Sequence, residues 1–494
     1  MLNKSFNERD IYNIFSANNI NKEIISFDEQ KIQIISFGTL NKFEGPDFKD
    51  AHVIIDGIKY NGDIEIDHDI SDWRKHGHFL NPKYNKVVLH ICYNNSQKIK
   101  YVISQSKRKI PTITFEQLFQ EKFYNNISNN ISDLLVKQQP YIYCSNLNHI
   151  IDQKQKYSIL VKKGADRYNN KVKKYFNRLK ELSFLYHEFI NEPVIKYNFE
   201  RDFYTKNFAA QDFANTEIWE QLLYESIMEA LGYSQNKLMM KNLALNLPLS
   251  FIKKHFDLQN RTIFLQQAEA MLHFIAGFHR NVNHKDDYFF QIINIHKQIR
   301  LNFDFKTYRR DNWNFGKVRP QNSPFIRIAG AARILEKLFF DNLFANIIKK
   351  FNEIRSDNTL AHSLKSLFII KAEGYWKNHS DFGIPSSEEI DYFVGAMRSD
   401  DILINVIFPI FSLYFEIFNL PNLAKRSFNL YVNYMTKSDN SVINNMAKAL
   451  KFTDTSSAII QQGFLELYKN YCTNILCYDC EIGKIVFDIT DIEL

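Results

Sequence analysis

Hydrophobic and polar positions change period once along the chain. Up to about Ser106 they alternate in short runs bounded by turn residues, and Lys31–Phe37, Ala51–Ile55, Ile58–Asp67, Lys86–Tyr93 and Ile99–Ser104 read as strands. Asp56-Gly57, between two apolar runs, predicts a tight hairpin, and Asn94-Asn95-Ser96 marks a further turn. A short helix over Asp10–Ala17 precedes them. From about Thr114 the apolar residues recur at three-and-four spacing. That period predicts helices over Tyr157–Tyr186, Trp219–Leu231, Arg261–Ala276, Ile328–Phe351, Ser363–Ile370, Asp401–Phe418 and Ser456–Tyr471. Strand spacing returns at Lys484–Ile489, and no repeat of fixed period is found. The expected fold class is α+β: a small mixed α/β module over 1–113, a large mainly helical body over 114–465, and a Cys-containing tail over 466–494.

Composition narrows this picture. Aromatics make up 15% of 494 residues, against only 15 Gly and 11 Pro, which favours long helices and a large core over disorder. The formal charge of +7 is compatible with DNA or RNA as a partner without requiring it. The N-terminus lacks a basic segment followed by an apolar run, so no secretory signal is read. The longest apolar stretch, Ile402 to Phe415, is interrupted by Asn405, Pro409 and Ser412; it is expected to be a buried helix, with no membrane partner. Five cysteines do not suggest a secreted disulfide framework, so a cytoplasmic location is expected, with oligomeric state left open.

The segment richest in chemistry is Gly45-Pro46-Asp47-Phe48 followed by Asn61-Gly62-Asp63-Ile64-Glu65-Ile66-Asp67-His68-Asp69. Alternation puts Asp63, Glu65 and Asp67 on one strand face, about 6–7 Å from one to the next. Three such carboxylates repel unless a cation, a basic partner or water relieves them, and oxygen-rich clusters of this kind suit Mg²⁺. The same pattern also fits a half-exposed strand with a solvated acidic face.

An Asp opening one strand and an acid-x-polar triplet on the next resembles the PD-(D/E)xK nucleases. That resemblance implies Asp47 and Glu65 as Mg²⁺ ligands, with a lysine two residues after the acid helping to activate water. Here the third position is Asp67, so a base would have to come from His68, His76 or His78, with Asp67 as an auxiliary ligand. The candidate catalytic set is therefore Asp47, Glu65, Asp67, His76 and His78. Register tests it: a regular two-residue hairpin at Asp56-Gly57 puts Asp47 opposite Ile66 on the wrong face, so the reading requires an irregular hairpin, through a longer loop or a bulge at Gly62. His90, on a strand, reads as a hydrogen-bonded structural residue.

Nearly the whole chain resembles a bacterial family, domain of unknown function 2851. The resemblance rests on the two segments above, on Ser71-Asp72-Trp73 with His76-Gly77-His78, and on Val88-Leu89-His90. It also rests on Arg319-Pro320-Gln321-Asn322, Ile326-Arg327-Ile328-Ala329, Tyr375-Trp376, Phe382-Gly383, Ile404-Asn405 and the Cys472–Gly483 tail. Members commonly read Glu-Ile-His where this chain has Glu65-Ile66-Asp67. The family implies no activity.

Elsewhere, Lys163, Arg167, Lys171, Lys174 and Arg178 form one stripe at helical spacing, which fits either a track for a phosphate backbone or a solvated helix face. Arg319 and Arg327, near Trp313, offer cations beside aromatics for nucleic acid or for internal pairing. Cys472, Cys477 and Cys480, with Cys144 as fourth ligand, could hold zinc or an iron–sulfur cluster, or be buried thiols. Phosphate-loop, dinucleotide-binding, nucleophile-elbow and zinc-protease motifs are missing from the sequence. Two readings follow: a Mg²⁺-dependent nuclease-like phosphodiesterase, or a non-catalytic nucleic-acid-binding or scaffolding protein.

Overall fold

The computed structural model describes residues 23–41, 45–114, 116–118, 142–145, 148–187, 203, 206–300, 305–315, 320–438, 440–474 and 476–490. The helix expected over Asp10–Ala17 lies outside them. The protein is α+β and divides into two units, Met1–Tyr141 and Ile142–Leu494.

The first unit is built on one mixed sheet. Its strands are β1 (Ile24–Ile25), β2 (Lys31–Ser36), β3 (Thr39–Leu40), β4 (Phe48–Ile55), β5 (Ile58–Asp69), β6 (Val87–Asn94), β7 (Tyr101–Ile103) and β8 (Lys109–Thr114). They lie in the order β1-β2-β4-β5-β6-β8-β7, with β3 also on β4. The β4–β5 hairpin closes through Asp56 and Gly57, both left-handed at φ 48° and 82°, which matches the two-residue turn that Asp-Gly predicts. From β5 the chain crosses through the short helix Asp72–Lys75 and two 3-10 turns to β6, which runs parallel to β5. Both sheet faces are covered. Phe48, Ile64, Leu89, Ile91 and Ile113 form one core, and Trp73, Tyr84, Val87, Cys92 and Ile110 form the other. β8 was not expected: Pro111 interrupts its apolar run, yet the strand pairs with β6 on one side and β7 on the other.

The second unit is mainly helical. Its 35-residue helix Gln153–His187 packs against Ala458–Asn470 through two glycines that let the backbones touch. A Cβ at Gly164 would lie 2.2 Å from the Ile459 carbonyl oxygen, and one at Gly463 2.2 Å from that of Leu160. Arg261–Ala276 is a helix as predicted. Three elements differ from expectation. The span Ile328–Phe351 is two helices, Pro324–Phe340 and Leu343–Glu353, because Asn342 takes a left-handed φ of 46° between them. Ser363–Ile370 belongs to a helix ending at Ser366 and a strand Ile370–Lys371 that pairs with Tyr392–Val394. The tail is a helix, Glu481–Thr490, not a strand: Ile485, Phe487 and Ile489 alternate, but Ile482, Ile485, Val486 and Ile489 recur at three-and-four spacing, and Ile482 and Val486 are buried. The Ile402–Phe415 stretch is buried core, with a π turn at Leu403–Ile407 preceding the helix Phe408–Ile417. Among the described residues no helix is long and apolar enough to cross a membrane.

Candidate metal centre

The acidic face of β5 points into the core that holds Trp73 and Tyr84, and Asp63, Glu65 and Asp67 are 2%, 5% and 5% exposed. This is not a solvated face. Buried carboxylates need partners, and each has its own. Lys49 Nζ sits 2.8 Å from Asp63 Oδ2. Glu65 Oε2 accepts from the Asp47 backbone N–H at 3.0 Å, and Asp47 Oδ2 accepts from the Ile66 N–H at 3.0 Å. Asp67 is ringed by three imidazoles: His76 Nδ1 is 3.3 Å and His78 Nε2 3.7 Å from Oδ1, and His90 Nε2 is 3.2 Å from Oδ2.

A bulge creates the Asp47 contact. Pairing is regular from Ile55↔Ile58 to Ala51↔Gly62, then slips so that Phe48 faces Ile64. The extra residue lies on β4 at Lys49-Asp50, where Asp50 has φ 56°, and not at Gly62. Asp47 is thereby turned toward Glu65, on the acidic face, and Lys49 reaches Asp63.

The histidines arrive through the short crossover. Gly77, at φ 75°, reverses the chain after Asp72–Lys75, so His76 and His78 both return over β5. The His76 side chain is 57% exposed, whereas that of His78 is 8% exposed, stacked on Tyr84 at 4.0 Å with its edge on Trp73. His78 Nε2 lies 3.1 Å from Glu65 Oε1, close as an ion pair but out of line for a hydrogen bond. Neither of its buried ring nitrogens has a hydrogen-bond partner. His90 approaches Thr112 Oγ1 through Nδ1 at 3.2 Å, fixing its ring between the hydroxyl and Asp67. His68 is on the opposite strand face, beside Tyr93, and takes no part.

Among the described residues, Asp67, His76 and His78 are the one set of three His, Cys, Asp or Glu whose donor atoms all lie within 4.8 Å of one another. Electrostatics divides the labour. Burial opposes ionisation of Asp67, but contacts with His78 and His90 outweigh it and hold the carboxyl well below its usual range. Burial pushes Glu65 up to about 7, only partly offset by His78. Burial also works against a charged His78, yet Asp67 and Glu65 together raise it to about 9. Two imidazoles and an ionised carboxylate suit manganese, iron or zinc better than Mg²⁺, which prefers oxygen and water.

The other sequence candidates fall in the second unit. The basic stripe is engaged internally: Lys163 with Glu481, Arg167 with Gln462 and Glu466, Lys171 with Asn405 and Gln462, Lys174 with Glu229, and Arg178 with Glu225 and Glu181. Arg327 is buried and donates to Tyr233, Asn322 and the Phe393 carbonyl. Arg319 lies outside the described residues. Cys144, Cys472, Cys477 and Cys480 are free thiols. Burial, then the neighbouring thiols, push Cys144 and Cys472 up to about 12, but no three of these sulfurs lie within 4.8 Å of one another. Sequence reasoning missed Lys49, whose only signal was an extra residue in its strand, and Thr112, on the strand that Pro111 masked.

The fold and site define an α+β protein with a buried carboxylate–histidine centre in its sheet-bearing unit. The chain matches the family profile described as protein of unknown function (DUF2851) over residues 11–208 and 205–441, and it belongs to that family. Neither a curated protein nor a solved structure matches it.

Proposed function

We propose that the first unit is a divalent-metal-dependent, nuclease-like phosphodiesterase centre acting on nucleic acid, with Asp67, His76 and His78 as the metal's ligands. The observation that carries this reading is the convergence of Asp67, His76 and His78, whose donor atoms all lie within 4.8 Å of one another, with Asp67 and His78 buried. Two imidazoles and a carboxylate gathered so closely offer a divalent ion three ligand atoms. A divalent ion supplies charge stabilisation to the developing negative charge of a phosphodiester. Glu65, whose carboxyl burial pushes up, is suited to hold or release a proton at Oε1 during hydrolysis. His90 and Thr112 position Asp67. Asp47, whose Oδ2 takes the Ile66 N–H, locks β4 to β5 beside Glu65. The side chain of His76, more than half exposed, marks where substrate would approach.

The test is metal content and cleavage together. Full-length protein purified without chelator is expected to retain one equivalent of Mn, Fe or Zn, and to cut single- or double-stranded DNA or RNA when supplied with that ion. Asp67→Ala and His78→Ala should each lower cleavage about 100-fold or more, while His68→Ala on the far face changes nothing. Metal-free protein that also fails to bind added Mn²⁺ or Zn²⁺ sinks the proposal. So does cleavage that survives Asp67→Ala.

A further inference from the structure

The second unit contains a cavity of about 780 Å³, within the range of small-molecule sites. Its wall is built from the Gln153–His187 helix, the segment Ser226–Lys237 and the π turn Leu403–Ile407. Six cationic side chains line it against three carboxylates, Glu229, Asp401 and Glu466, together with Lys171, whose amine burial holds well below its usual range. Excess like charge around a concave wall raises the local potential and draws anions.

The π turn has a physical cause. Pro409 has no N–H, so the Asn405 carbonyl loses its helical donor four residues on; Tyr175 Oη donates to it instead at 2.7 Å. Asn405 Nδ2 in turn donates to the Asp401 carbonyl at 2.8 Å. This leaves the Asn405 amide oxygen facing the amine of Lys171, which also donates to Gln462 at 3.0 Å. Beside it, Arg398 spreads its guanidinium 3.2 Å above the Tyr233 ring, donates to the Ala230 carbonyl, pairs with Asp401 and leaves its buried Nε without a hydrogen-bond partner. Asparagine and glutamine amides, among them Asn322 and Gln462, fill much of the remaining wall. They offer both donors and acceptors to a ligand with hydrogen-bonding edges.

We propose that this cavity is a binding site for a phosphorylated small molecule of mononucleotide size, with Lys171, Arg167 and Arg398 facing the phosphate and the amides facing the sugar and base. Three members of the basic stripe, Arg167, Lys171 and Lys174, thus face a small anion inside the unit. The site is independent of the metal centre proposed for the first unit.

Isothermal titration of the full chain at low salt with AMP, ATP, inorganic phosphate and adenosine tests it. AMP or ATP should bind one to one with Kd below about 1 mM. Adenosine, lacking phosphate, should bind at least about tenfold more weakly. Lys171→Met and Arg398→Gln should each weaken AMP or ATP about tenfold or more. The exposed rim variant Lys437→Gln, which leaves the packing intact, should weaken binding less and only at low salt. Asp67→Ala should leave binding unchanged, which separates this site from the metal centre. Lack of saturable binding by either nucleotide at several millimolar overturns the proposal, as does affinity unaltered in folded Lys171→Met, Arg398→Gln and Lys437→Gln proteins.

Discussion

Glu269 and His273 lie one turn apart on the buried face of the Arg261–Ala276 helix, and they should respond to pH in opposite senses. His273 is fully buried among Phe278, Phe325, Trp376 and Phe382, with neither ring nitrogen hydrogen-bonded, and burial lowers its pKa from 6.5 to about 3. A depressed folded pKa means that its contribution is full above about pH 6.5 and is lost as the pH falls toward 3. Between pH 7 and pH 5 that loss is about 2 kcal/mol. Glu269, which accepts from Tyr288, is raised by burial from 4.5 to about 7. Its contribution is full below about pH 4.5 and is lost as the pH rises through 7, about 2 kcal/mol between pH 5 and pH 7. The two slopes nearly cancel in the parent protein. His273→Phe removes one of them and also removes two unsatisfied buried nitrogens. Relative to the parent it should be more stable by about 1 kcal/mol at pH 7 and about 3 kcal/mol at pH 5. Glu269→Gln should show the reverse trend, its advantage being largest at pH 7. Urea unfolding at both pH values, followed by tryptophan fluorescence, to which Trp376 contributes from 4.8 Å beside His273, reads the difference. A His273→Phe minus parent difference that is the same at pH 5 and pH 7 refutes the argument.

Other substitutions probe close contacts. Gly463→Ala places a methyl 2.2 Å from the Leu160 carbonyl with rigid helix on both sides, so thermal melts should show a loss of about 2 kcal/mol or more. Gly62→Ala puts a methyl 2.4 Å from the Lys86 carbonyl oxygen and must move β5 from β6; Mn²⁺ titration should find about tenfold weaker binding, because Asp67 and His90 sit on those two strands. Asp50→Gly relieves a left-handed residue at the bulge and should raise stability by about 0.5–1 kcal/mol in denaturant titrations with metal affinity unchanged. Deleting Asp50 would remove the extra residue and leave Phe48 opposite Ile64 and Asp47 opposite Glu65, so the faces are kept and metal binding should persist in the same titration.

Much of the fold was legible because period alone decides it where turns are well marked. Asp56-Gly57 set the hairpin, and the alternation from Ile58 to Asp67 set the faces of β5. Legibility failed where one residue overrode a period. Asn342, left-handed, cuts an unbroken helical pattern, and Pro111 hides a strand. In the tail, Ile485 and Ile489 belong to both an alternating and a helical pattern, and burial of Ile482 and Val486 goes with the helix. The basic stripe was a true face, but spacing along one helix carries no information about what stands opposite. Glu225, Glu229, Glu466 and Glu481 come from segments up to some three hundred residues away in sequence.

The site shows the same division between local and distant information. His76 and His78 are near the acidic strand in sequence, and the short crossover brings both back to it in space. What the sequence could not order was the three carboxylates. They alternate identically, yet each has a different fate: Asp63 meets a lysine released by the bulge, Glu65 is held against a backbone N–H, and Asp67 meets three histidines. The difference arises from neighbours across the sheet. β4 supplies backbone donors and Lys49 near the start of the acidic run, while the crossover and β6 supply imidazoles near its end. A single strand therefore runs from oxygen and ammonium partners to nitrogen donors within a few residues. That gradient explains why the position where a lysine was expected is the very one where a carboxylate is useful. An ionised group there balances the imidazoles and leaves them a shared anionic partner. A lysine among the same three histidines would face only like charge or donors in competition for Glu65.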